Sequence, residues 1–590
     1  MFDMEGSSKR AGPAFFNDPE LIDRQGLLAA NRDAYEQVLN LISYDLETNQ
    51  LQRAADRIAI ASQLQDHCGI FSSPRLEELL IQLGKAVFPR ALKTPVSNMT
   101  PPIVCHITTE VESVGGHSRA IIRWIQNDPL RKYNLLLTRQ HKPIPDELQD
   151  AISSSGGQIH ACVRHEGPIE ISTEIFHALD EDADVVVLQM YSGDISGLLP
   201  FCHAGGPRVI TYNTADHKPF LGVSISDLVV ETRDSGRLCT QQFRGSNRTV
   251  LLPLVVDRGA SSTVESKLKA RNRLGILANE VCVLSVGSAY KYRPIGNLDF
   301  LKAAERIANQ NDRVRICVVG PGSTPAWDSL SALTQGRVRG FGRQEDISCF
   351  YEAADVYIEG FPFGSLTALL DARARGLPCV IAPKPVEPPF CSDSPGIADL
   401  AQPESIDAYI DVVGDLCSSI SPDRQPMECP DMAMHWGHQW LEALENVFRS
   451  LPTEHAVYPP SMLETPPWFL ETFWSKFTLP SDSDAAKNCG WSQLIRELTK
   501  NSVSEIARFL PGFASQAVES VLDRIHSAGL RNTAVEGLIQ SILAVGQTSR
   551  CSIAWNIFVR LSLQNPRHAF RAFRPRLPFM SCVSIFCVWY

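Results

Sequence analysis

Residues 354–383, ADVYIEGFPFGSLTALLDARARGLPCVIAP, constrain the fold more than any other stretch. An apolar run, Val356, Tyr357 and Ile358, ends in Glu359, and a turn of Gly and Pro follows. Gly364, Ser365 and Thr367 then open a helical pattern with Leu366, Leu369, Leu370 and Ala374 on one side. Gly376 and Pro378 stop that helix, and Cys379, Val380 and Ile381 begin a second buried strand. Strand, polar turn, helix and strand in this order make one unit of a parallel α/β sheet. A helix opening in GSLT offers backbone N–H groups without intrahelical acceptors, together with small hydroxyls, and so suits a phosphate. Asp371, further along that helix, lies within reach of a ribose hydroxyl if a nucleotide sits there. An ordinary βαβ unit with a Ser/Thr cap would use the same letters, so function depends on what else falls in register.

The stretch resembles the donor-binding segment of GT-B glycosyltransferases, and among them the O-GlcNAc-transferase-like group. There an acidic residue, a Pro-containing turn, Gly and Thr precede an Asp that holds the nucleotide ribose, followed by Gly-x-Pro. Glu359, Pro362, Gly364, Thr367, Asp371, Gly376 and Pro378 fall at matching intervals. The larger retaining GT-B group has two glutamates eight positions apart, whereas here Thr367 stands eight after Glu359 and Phe363 eight before Asp371. The resemblance therefore implies inverting chemistry, by analogy with the first group.

At 590 residues the chain exceeds a single core, and two to four domains are expected. A net charge of −11 argues against a general nucleic-acid binder. The 16 cysteines show neither CxxC pairs nor Cys/His clusters of zinc spacing. With a polar beginning, MFDMEGSSKR, they are expected to be reduced thiols of a cytoplasmic protein. No apolar run is long enough to span a bilayer.

Helical spacing runs from residue 18 to about 92: Tyr35, Val38, Leu39 and Ile42, then Leu51, Ala54, Ile58 and Ala61, then Leu76, Leu79, Leu80 and Leu83. These predict antiparallel helices forming a cap or a short helical module, and PVSNMTPP reads as a linker. A first α/β domain opens at Ile103 with the strand IVCHITTE, the turn VGGHSR and the amphipathic helix AIIRWIQND. LLLTR, VVVLQMY and RVITYN are further strands. Gly115 and Gly116 let the backbone approach whatever occupies the top of the sheet, although the third glycine of a dinucleotide fingerprint is missing. In GT-B enzymes a double glycine at this point borders the cleft. His117 and Arg119 follow, and either could reach the cleft.

RVITYN ends at Asn213, and Asp216 and His217 lie on the loop at its carboxyl end, where ligands of open α/β sheets bind. His217 is a candidate general base for an acceptor hydroxyl, with Asp216 beside it or serving the loop. The segment also resembles a group of bacterial GT-B transferases with Asn…Ala-Asp-His before an aromatic and Leu-Gly. Arg233, Arg237 and Arg244 add positive charge that could face a diphosphate. A hinge, LLPLVVDRG, leads to a second α/β domain whose first strand, VCVLSVG, is followed by Tyr290 and Lys291. O-GlcNAc-transferase-like enzymes carry a Tyr-Lys here whose ammonium contacts the donor diphosphate, and Lys291 matches it. A fixed cation would stabilise the departing diphosphate without a metal. By the same resemblance the loop carrying Arg343 borders the nucleotide, and a helix over residues 432–449 crosses back to the first domain.

The expected fold is α/β of GT-B type: two Rossmann-like domains facing across a cleft, flanked by helical extensions. Residues 1–98 form the helical region, 99–252 the acceptor-side domain, 253–452 the donor domain, and 453–590 a Pro-rich linker and helical end. The basic-then-apolar tail allows at most peripheral membrane contact. The resemblance spans residues 103–449 and is densest over 281–383. It implies transfer of a sugar from a nucleotide-diphosphate donor, a UDP-sugar first, to an acceptor hydroxyl or amide on a protein, glycan or lipid-linked molecule. No cofactor, metal or nucleic acid is expected. Gly364, Ser365, Leu366 and Thr367 would cradle the phosphates, Lys291 and Arg343 neutralise them, Asp371 hold the ribose, and His217 or Asp216 assist the acceptor. A GT-B-type epimerase or phosphorylase, and a non-catalytic scaffold binding partners through its helical ends, are the alternatives.

Overall fold

A computed structural model describes residues 19–94, 101–113, 115–162, 167–179, 183–257, 263–420, 430–460 and 464–469. The expected helical end beyond residue 469 and its basic-apolar tail lie outside the described residues. The chain divides into two compact units, residues 1–71 with 465–590, and residues 72–464.

In the first unit α1 (Pro19–Glu47) packs against α2 (Leu51–Cys68). Tyr35, Leu39 and Ile42 meet Ala54, Ile58 and Ala61 in a fully buried seam, as the 3.6-residue spacing requires. Asp45, also fully buried, is neutralised by Arg57 at 2.5 Å. Phe71 meets Phe469 edge-on, ring centroids 5.1 Å apart.

The second unit begins with α3 (Pro74–Val87), where Ser73 caps the Leu76 N–H and Pro74 takes the first turn. Its Glu77 accepts the Gly222 and Ser224 amides at 2.8 and 3.2 Å. The first sheet domain runs β1 (Val104–Thr108), α4 (Gly116–Asn127), β2 (Tyr133–Leu137), α5 (Asp146–Ser154), β3 (Ile159–Ala161), α6 (Pro168–Leu179), β4 (Val185–Gln189), β5 (Arg208–Asn213), β6 (Leu228–Glu231), α7 (Asp234–Phe243) and β7 (Thr249–Leu251). The second runs α8 (Val264–Leu274), β8 (Val281–Val286), α9 (Phe300–Gln310), β9 (Val314–Val319), α10 (Pro325–Leu333), β10 (Val338–Gly340), α11 (Ser348–Ala353), β11 (Val356–Ile358), α12 (Leu366–Ala374), β12 (Cys379–Val380), α13 (Ile406–Ser419) and α14 (Gly437–Arg449).

Every pairing in both sheets is parallel: Val104 stands opposite Tyr133 and Val185, and Val283 opposite Ile316 and Val356. Parallel strands are covered by helices on both faces, which is why VCHIT and VVVLQ are buried at every position. The strand orders are β3-β2-β1-β4-β5-β6-β7 and β10-β9-β8-β11-β12. In each, the order reverses at the first strand of the domain, β1 or β8. A crevice opens there beyond the strands' carboxyl ends, the place where open α/β sheets bind ligands. These are two Rossmann-like domains, the GT-B arrangement.

Residues 432–449 do not form the single helix the sequence suggested. A 3-10 turn, Pro430–His435, precedes α14, and Gly437, at a φ of +60°, breaks the run. α14 does return to the first sheet domain. Trp440 donates to the Pro253 carbonyl at 2.9 Å, and Glu445 pairs with Arg131 at 2.6 Å. No helix among the described residues is long and apolar enough to cross a membrane.

Candidate functional site

On the second domain the site is built from two turns that leave the sheet beside each other, after β8 and after β11. Lys291 follows β8, and its Nζ donates to the Gly364 carbonyl at 2.7 Å and to Ser365 Oγ at 3.1 Å. The helices α9, α10 and α13 of this domain are closed by the side chains of Asp299, Thr324 and Ser405. Ser365, the N-cap of α12, caps nothing and turns its hydroxyl to Lys291 instead. The amides of Leu366 and Thr367 therefore open the helix without an intrahelical acceptor. Glu359, fully buried, holds the turn from below: it accepts the Ser365 and Ala382 amides at 3.1 and 3.0 Å and the Ser392 hydroxyl. Burial pushes its carboxyl above the usual range, against these hydrogen bonds and Lys291. Only glycine fits at 364, where a Cβ would stand 2.3 Å from the Glu359 carboxylate and 2.8 Å from the Phe390 carbonyl. Tyr290 is 39% exposed and packs edge-on to Phe363, which in turn meets Phe390.

The first domain brings its own switch point to the same place. Gly115, at φ +144°, opens α4 in a conformation that a side chain would strain, and a Cβ on Gly116 would stand 3.5 Å from Thr367 Oγ1. His117 lies over the ends of β1 and β5, with Nε2 2.8 Å from Thr108 Oγ1 and Nδ1 3.3 Å from Thr214 Oγ1. Thr108 gives its one proton to the Gln189 carbonyl at 2.8 Å. His117 Nε2 must then be the donor to Thr108, which leaves Nδ1 as the basic atom. Burial pushes the His117 pKa down to about 4, so the ring is neutral near pH 7.

Asp371 joins the two domains. It is 2% exposed, 3.0 Å from Arg123 Nη2 and 3.6 Å from Arg119 Nη1, both on α4. Arg123 also reaches Asp257, at 2.9 Å. Burial raises the Asp371 carboxyl above its ordinary value, and the two arginines oppose that shift. Arg343 crosses at a second point, 2.9 Å from Glu112.

The expected base pair is arranged differently from what adjacency suggested. Both Asp216 oxygens accept from Arg233, at 2.6 and 2.8 Å, so the carboxylate is already engaged and is held well below its ordinary pKa against the cost of burial. His217 lies 3.6 Å from Asp216, with its ring 6.3 Å from that of Phe390, and burial lowers its pKa although the side chain keeps 29% exposure. Arg233, Arg237 and Arg244, expected as charge facing a diphosphate, have other partners. Arg233 also bonds the Pro389 carbonyl at 2.7 Å, Arg237 pairs with Asp234, and Arg244 braces the carbonyls of Asp216 and Lys218. The turn-side residues Lys291, Tyr290, Gly364, Ser365, Leu366 and Thr367 thus share one face, with Gly116 and His117 opposite. Asp371 and Arg343 sit in cross-cleft ion pairs, Asp216 is held by Arg233, and the His217 ring neighbours that of Phe390. Arg123 escaped sequence reading altogether; its one signal is a charge inside the apolar run Ile121, Ile122, Trp124 and Ile125.

Among solved structures, the chain is similar to the Anabaena protein Alr3699/HepE in complex with UDP and glucose, at 13% identity and a TM-score of 0.41, over 59% of this chain and 97% of that one. It is also similar to an O-GlcNAc transferase mutant of Thermobaculum terrenum, at 14% identity and a TM-score of 0.39, over 75% and 83% of the two chains. WaaG, a glycosyltransferase involved in lipopolysaccharide biosynthesis, shows 15% identity and a TM-score of 0.40 over 58% and 98%. No curated protein matches the chain. The sequence match falls on the domain that carries Lys291, Thr367 and Asp371, where residues 280–419 fit the family model of glycosyl transferases group 1.

Proposed function

We propose that this protein transfers a sugar from a nucleoside-diphosphate donor, a UDP-sugar, to an acceptor hydroxyl or amide. The observation that carries this reading is Lys291 seated on Gly364 and Ser365 at the open end of α12, in a domain matching glycosyl transferases group 1. The helix end and Lys291 would receive the diphosphate, whose charge grows as the bond to the anomeric carbon breaks, and a fixed ammonium answers that charge without a metal. Asp371 would take the ribose hydroxyls, exchanging part of its bonding to Arg123 and Arg119. The acceptor, on a protein, glycan or lipid-linked molecule, would enter from the first domain. The new bond joins its oxygen or nitrogen to the anomeric carbon, and its proton passes to a base.

Two histidines compete for that last role. His117 is neutral, directly follows Gly116, whose backbone approaches Thr367, and has its basic atom fixed by Thr108. His217 stands beside a carboxylate already committed to Arg233. His117 is therefore the base in this reading. The test is release of UDP from a panel of UDP-sugars in the presence of EDTA, with acceptor supplied. His117→Ala is expected to slow turnover by about 10²–10⁴-fold, the usual contribution of a positioned base, and His217→Ala far less. Activity carried by His117 should also fall as pH drops toward about 4, where its ring takes up a proton. A wild type that needs a divalent ion for turnover removes the metal-free part of the proposal. Loss confined to His217→Ala reverses the assignment of the base.

A further inference from the structure

We propose that His160, Cys162 and Glu174 form a binding site for a divalent transition metal, Zn²⁺ by its donor set, at the rim of the first sheet. β3 is the edge strand of that sheet, with His160 opposite Leu136. Its period of two puts residues 160 and 162 on the same face. Glu174 comes from α6, the helix that follows β3. One donor atom from each of the three residues lies within 4.8 Å of the other two. Among the described residues no other three His, Cys, Asp or Glu side chains gather in this way.

The chemistry favours one kind of ion. An imidazole, a thiolate and a carboxylate are the ligands of Zn²⁺, with bond lengths of about 2.0–2.3 Å. Ca²⁺ and Mg²⁺ take oxygen donors and would leave the sulfur unused. His160 Nε2 already bonds the Glu174 carboxylate. The Cys162 thiol, in a residue only 2% exposed, hydrogen-bonds the same Glu174 carboxylate, so an imidazole and a soft sulfur donor converge on one carboxylate. Three protein ligands leave a fourth, water-filled position, and the ion would staple the edge strand to α6. Sequence spacing conceals the site because the third ligand arrives from the next element. β2 and then β1 separate β3 from the Lys291 cradle, so this site is independent of the proposed transfer.

The test uses the full-length protein, stripped with chelator and titrated with Co²⁺ as a spectroscopic stand-in. One equivalent is expected to produce a thiolate-to-metal absorption band in the near ultraviolet, removed by added Zn²⁺. Cys162→Ser should abolish the band. His160→Ala and Glu174→Gln should each weaken Co²⁺ binding by more than about tenfold, a loss that even the outer partners of metal ligands commonly cause. A spectrum without a thiolate band, or a band that survives Cys162→Ser, overturns the proposal. If Cys162→Ser does not fold, the exposed His160→Ala decides: unchanged Co²⁺ affinity in that variant overturns the site.

Discussion

Lys291→Ala is expected to lower sugar transfer by about 10²–10³-fold, the size of effect seen when one preorganised donor to developing negative charge is removed. Lys291 is the cation that reaches the mouth of α12, bonding Gly364 and Ser365 at 2.7 and 3.1 Å. Both partners sit at a solvent-facing turn, so its loss costs the fold little while removing the charge that answers the leaving diphosphate. Steady-state kinetics on the wild type and the variant check this. A variant that folds and turns over at the wild-type rate would remove Lys291 from the chemistry.

The second large effect is on stability. Arg233→Met leaves the Asp216 carboxylate buried without the guanidinium that bonds both its oxygens, and also frees the Pro389 carbonyl on the opposite domain. Breaking a buried pair from one side costs about 3–5 kcal/mol, expected here as a lower urea midpoint of the two-domain unit. The double variant Asp216→Asn with Arg233→Met should recover part of the loss. The pH dependence has a defined sign. Asp216 titrates in the folded protein well below its ordinary 3.8, so its contribution is complete above about pH 4 and is lost as pH falls below that value toward the folded pKa. Wild-type protein should lose this stability on acidification, whereas the double variant should not.

The parallel sheets were legible because strands buried on both faces read as short apolar runs, and because Gly115-Gly116 and Gly364-Ser365 mark where strands hand over to helices. Lys291 and the GSLT turn could be paired on paper because each directly follows a strand, and the carboxyl ends of neighbouring parallel strands meet. What sequence could not supply were partners chosen by tertiary packing. Asp216 lies next to His217 in the chain, yet both its oxygens bond Arg233, seventeen residues away. Asp371 read as a ribose ligand alone, but Arg123 crosses from the other domain to meet it. The break before α14 depends on one glycine adopting a positive φ, which a helical hydrophobic pattern does not register. His117 was visible as a residue near the cleft. Its neutrality and the identity of its basic atom come from Thr108 and Gln189, which only the folded sheet brings beneath it.

The most direct measurement is calorimetric titration of the wild type with UDP in EDTA, repeated with Lys291→Ala and Asp371→Ala. Saturable binding at one site, weakened by both substitutions, is the expected result. Absence of UDP binding by the folded wild type would contradict the donor site, and with it the assignment of sugar transfer.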